Sequence, residues 1–136
     1  MHGNTFNMLR THLPQLDLMI EGLVLDLESR GLLDQTLVVV MGEMGRTPKI
    51  NAKGGRDHWG KIAPLMLSGG GLKMGQVIGA SDRQAAEPAT RPYNPKHLTS
   101  TIMHSVIDIG QLRVTDGIPK PVIDTIASGS PIEEWV

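Results

Sequence analysis

Apolar residues recur at three- and four-residue steps between Phe6 and Arg30: Leu9, Leu13, Leu16, Ile20, Leu23 and Leu27. Arg10, Asp17, Glu21, Asp26 and Glu28 fall mainly on the other face, so the spacing predicts one amphipathic helix. Pro14 marks a kink or a fresh start within it, and Gly31 after Arg30 reads as its C-cap. A turn at Asp34-Gln35 leads into Thr36 to Met41, an apolar, β-branched run that predicts a buried strand. A second strand is read over Ala63 to Ser68, closed by Gly69-Gly70-Gly71, and a short edge strand over Gln76 to Gly79. After a polar loop from Ser81 to Tyr93, Pro95 opens a helix with Leu98, Ile102, Val106 and Ile109 on its apolar face and Gly110 at its end. Pro119, Pro121 and Pro131 then restrict the remainder to a helical tail of short elements.

Alternating helices and apolar strands indicate an α/β chain. With only two or three strands in 136 residues, the expectation is the C-terminal piece of a larger domain, its N-terminal part absent, although the length suffices for one small domain. A formal net charge of −1, without a Lys/Arg-rich run or a stacking aromatic series, argues against a nucleic-acid partner. The absence of cysteine excludes disulfides, thiolate metal sites and a Cys nucleophile. No stretch approaches the roughly 20 apolar residues of a membrane span.

Chemistry concentrates between Met41 and Gly60. The first strand ends in a polar turn with Glu43 and Arg46, and a Gly-rich loop then delivers Arg56, Asp57 and His58 in succession. Polar residues just past a buried strand's C-terminal end are where open α/β folds place ligand sites. A carboxylate and an imidazole in one such loop suit a divalent metal. Two plainer readings stand beside these: Asp57 and His58 cap the following strand, and Glu43 pairs with Arg46 or Arg56. The arginines either orient an oxyanion or hold the loop together. Lys49, Asn51 and Lys53 read as solvated, His12 and His104 as structural, and His97 as surface. The Gly69–Gly71 run lacks a following GK[ST], so it reads as a turn rather than a phosphate loop.

His2-Gly3-Asn4, the stretch LESRGLLDQTLVVVMGEMGRTPKIN, and then GRDHWG, SGGG, GQVIGASD and RPYNP together resemble domain-of-unknown-function family 1501, within the sulfatase-like alkaline phosphatase superfamily. The resemblance runs over nearly the whole chain, as the C-terminal part of such a protein. It implies a doubly wound α/β sheet and hydrolysis of phosphate or sulfate esters, of small molecules or glycans, with two divalent metals such as zinc or manganese. By position, His2, Glu43 and His58 would be metal ligands, with Asp57 an outer partner or an extra ligand, and Arg46 and Arg56 would bind the ester's oxyanion. In the family, the residue matching His2 closes a Trp-Asp-Thr-His motif whose first three residues are missing here. Met44 stands where the superfamily has a His, and a thioether is a poor ligand for hard cations. The nucleophile should lie upstream of this chain, so the chain alone should not turn over substrate. The resemblance also suggests an exported protein.

The leading expectation is therefore part of a metal-dependent sulfatase- or phosphatase-like hydrolase. Met44 favours an alternative of a different class, a sulfatase-shaped binding or surface protein without catalysis. A phosphomutase-type transferase would require a sugar-phosphate substrate, about which these residues are silent.

Overall fold

The computed structural model describes residues 1–135 and is a mixed α/β arrangement. Helix α1 runs Thr5–Ser29, close to the predicted span, and continues through Pro14. Its C-terminus is closed by glycine geometry: Gly31 adopts φ 66°, its N–H donates to Glu28 O at 2.9 Å, and Leu32 N–H donates to Leu27 O at 2.8 Å. That pair of bonds is the Schellman motif, which satisfies carbonyls the helix cannot. The N-terminus is closed differently. Asn4 is left-handed at φ 50° and offers no side-chain cap; instead Asn4 N–H and Thr5 N–H donate to Lys53 O and Gly54 O at 3.0 and 3.1 Å. A loop some fifty residues downstream therefore seats the start of α1.

A 3-10 turn, Leu33–Gln35, leads into β1 (Leu37–Met41). Strand β1 pairs with β4 (Leu65–Gly69) from Leu37↔Gly69 to Met41↔Leu65. The ladder is antiparallel, whereas a doubly wound sheet is built on parallel pairing. A parallel return needs a crossover, usually helical, and residues 42–64 form turns and one small ribbon, with no helix. The ribbon joins β2 (Gly45–Arg46) to β3 (His58–Trp59). Gly69 to Gly71 close β4 as a turn with φ between 64 and 78°, and a Cβ on Gly69 would lie 2.3 Å from Leu33 O.

Residues 76–79 are not a strand: Gly75 and Gly79 sit at φ 76 and 82°, and Val77 between them is 97% exposed. The helix expected from Pro95 to Gly110 divides in two. Helix α2 spans Pro95–Val106 behind an Asn94 capping box. Ile107 is extended, and Asp108 Oδ1 accepts from Gln111 N–H at 2.9 Å to start α3 (Ile109–Val114). A capping aspartate competes with helix continuation in this way. Helix α4 is Lys120–Ile126. Among the described residues, Leu67, Leu98, Ile109 and Ile132 are the buried apolar side chains. Beside them Thr101, fully buried, donates to His97 O and accepts from Ile132 N–H at 2.8 Å, pinning the C-terminal segment to α2. No helix among the described residues is long and apolar enough to cross a membrane.

Candidate functional site

The β2–β3 ribbon and its loop carry the site. Gly45 is buried, and a Cβ there would fall 1.8 Å from Ile62 O, so only glycine admits the next segment so close. Beyond the ribbon the pairing continues through Thr47: its N–H donates to Asp57 O at 2.9 Å, and its Oγ1 accepts from Asp57 N–H at 3.0 Å. The intervening loop is drawn in by Arg56, whose Nη1 donates to Thr47 O at 2.7 Å and Pro48 O at 2.5 Å. Arg56 is thus committed to loop carbonyls.

The loop then grips the N-terminus. Arg56 N–H donates to Met1 O at 3.2 Å, and Thr5 Oγ1 donates to the same carbonyl at 2.6 Å. Gly55 lies against the main chain of residues 2 and 3, where a Cβ would come within 2.2 Å of His2 C. This contact delivers His2 to the end of β3. Its Nδ1 lies 2.8 Å from Asp57 Oδ1 and its Nε2 3.2 Å from His58 Nε2, the two rings tilted by 48°. The hydrogen bond from His2, followed by one from Asn51, holds the Asp57 carboxyl below the usual aspartate range. Asp57 is therefore an ionised acceptor at neutral pH, and the ring nitrogen facing it carries the proton.

Three of the residues singled out in the sequence, His2, Asp57 and His58, thus meet. Glu43 does not join them: it lies exposed in the turn after β1, and its carboxylate makes no hydrogen bond or ion pair among the described residues. Arg46 stands directly opposite His58 in the ribbon, so the two side chains share a face. Its Nη1 is buried and has no hydrogen-bond partner among the described residues.

Two nitrogens bound to one tetrahedral zinc at about 2.0–2.1 Å lie about 3.3 Å apart, so the His2–His58 spacing suits one cation between them. Asp57 sits behind His2, on the other ring nitrogen, as carboxylates that orient ligating histidines do. No three His, Asp or Glu side chains among the described residues converge to enclose a cation. Asn51, which reads as solvated in the sequence, instead has a carboxamide that touches both His2 and Asp57. Its only local signal is an Asx side chain three positions before a Gly-Gly pair, a common turn former.

A family model described as "Protein of unknown function (DUF1501)" matches residues 1–134. No curated protein and no solved structure matches the chain.

Proposed function

The chain belongs to the DUF1501 family, and from that premise we propose that it contributes a divalent-metal site to a sulfatase-like hydrolase of phosphate or sulfate esters. The observation that carries this reading is the 3.2 Å approach of His2 Nε2 to His58 Nε2 with Asp57 on the opposite side of the His2 ring. His2 and His58 would hold the metal, and Glu43 would supply a carboxylate only after the turn following β1 reorients toward them. When bound, such an ion acts as a Lewis acid on an ester oxygen and lowers the pKa of a bound hydroxyl or water. The chain's own residues orient the imidazoles and present charge. Asp57 fixes His2, and Arg46, beside His58 with an uncommitted donor, suits an anionic ester oxygen better than the loop-bound Arg56. The superfamily's nucleophile belongs to this proposal as well, because none of these side chains is a free hydroxyl poised to attack an ester.

The test is cobalt or zinc titration of the full chain, read by absorbance and by metal content. Wild-type protein is expected to bind one ion, and His58→Ala and His2→Ala to lose it. Metal retained at wild-type stoichiometry by His58→Ala would sink the assignment. The exposed, unpartnered Glu43 and the Met44 beside it favour a second reading, a metal-holding binding protein without hydrolysis. Metal binding without turnover of aryl phosphate or sulfate by the native protein would select it.

A further inference from the structure

We propose that Asn51 is the positioning residue of the histidine pair: its carboxamide ties the His2 main chain to the Asp57 carboxylate and so fixes which His2 nitrogen faces His58. The carboxamide uses its whole hydrogen-bonding capacity. Oδ1 accepts from Lys53 N–H and Gly55 N–H, both at 3.0 Å. Nδ2 donates to His2 O at 3.0 Å and to Asp57 Oδ1 at 3.2 Å. Two donors and two acceptor lone pairs are all that an asparagine amide has. A flipped amide would set its NH2 against two N–H donors, so the orientation is dictated by the loop itself.

The consequence reaches the imidazole. Asp57 Oδ1 accepts from Asn51 Nδ2 and from His2 Nδ1 together. With the carboxylate held from one side by Asn51, neutral His2 keeps its proton on Nδ1 and leaves the Nε2 lone pair toward His58. The same side chain holds the residue-2 carbonyl, so ring and main chain are fixed by one group. Asn51 also shapes the loop whose Lys53 and Gly54 carbonyls seat the start of α1. It acts through His2 and Asp57 and touches no reacting atom, and its expected effect on metal affinity rests on the reading proposed above.

Asn51→Asp is the discriminating substitution. It keeps an acceptor for Lys53 and Gly55 while replacing the donor arm with an oxygen that repels Asp57 and the His2 carbonyl. In nitrogen-detected NMR of the metal-free full chain, wild-type His2 is expected as the Nδ1–H tautomer, and Asn51→Asp is expected to shift it toward Nε2–H. Cobalt affinity is expected to fall about 10- to 100-fold, the usual effect of losing an outer partner of a ligating histidine. Wild-type tautomer and unchanged affinity in Asn51→Asp would overturn the inference. A measurement on wild type alone guards against a variant that fails to fold: both Asn51 amide protons should exchange with solvent more slowly than a free carboxamide, and exchange at the free rate also overturns it. Should wild type bind no cobalt, the metal reading fails, while the tautomer and the amide exchange still decide the role of Asn51.

Discussion

At the scale of single residues, the site depends on what glycine lacks. Gly55 is buried with the His2 main chain where its Cβ would be, so an added methyl must push apart the contact that brings His2 to Asp57. Gly55→Ala is expected to destabilise the fold by about 1–3 kcal/mol, within the usual range for overpacking, and to abolish the His2–Asp57 hydrogen bond. Thermal unfolding checks the first effect and the His2 nitrogen shifts the second; wild-type shifts would show that the loop can yield elsewhere. That Asp57 and His58 stand together at one Gly-rich loop was legible in the sequence. The role of Asn51 was not, because its partners include a carbonyl 49 positions away and no local pattern encodes that meeting. Glu43 illustrates the converse: a strand-end carboxylate stands out in sequence, and its place in solvent is set by the turn after β1.

At the scale of elements, α1 shows how far periodicity reaches. Its span and its glycine stop followed from spacing and capping chemistry, and the Schellman bonds at Gly31 bear this out. Because Gly31 sits at φ 66° with nothing within 4 Å of a Cβ, Gly31→Ala tests backbone cost without a clash. A loss of about 1 kcal/mol is expected from the left-handed penalty, measured by denaturant midpoint; an unchanged midpoint would mean the helix end frays without cost. The strands behave differently. The apolar runs announced β1 and β4, but a buried strand reads alike in either direction, so the antiparallel pairing depended on the path of residues 42–64. The two-residue strands β2 and β3 lie below the length at which alternation gives a signal.

At the scale of the whole molecule, few apolar residues among those described are buried, and α1 leaves Leu13, Leu16, Leu18, Met19, Leu23 and Leu25 exposed. A core of this size leaves a narrow margin of stability. Whatever ties distant segments together therefore weighs heavily, and the chain has no cysteine to do it covalently. The His2–His58 approach spans 56 positions. A cation held by both rings would act as a reversible staple, binding the folded chain only and so stabilising it by about 2.7 kcal/mol at a free concentration 100 times its dissociation constant. Stoichiometric zinc is expected to raise the melting temperature, chelation to reverse the gain, and His58→Ala to abolish it; an equal rise in His58→Ala would locate the staple elsewhere. On this account metal supply would govern the lifetime of the folded chain as well as its chemistry, because metal-starved molecules would lose the tie between residue 2 and the loop before β3 first and meet proteases there.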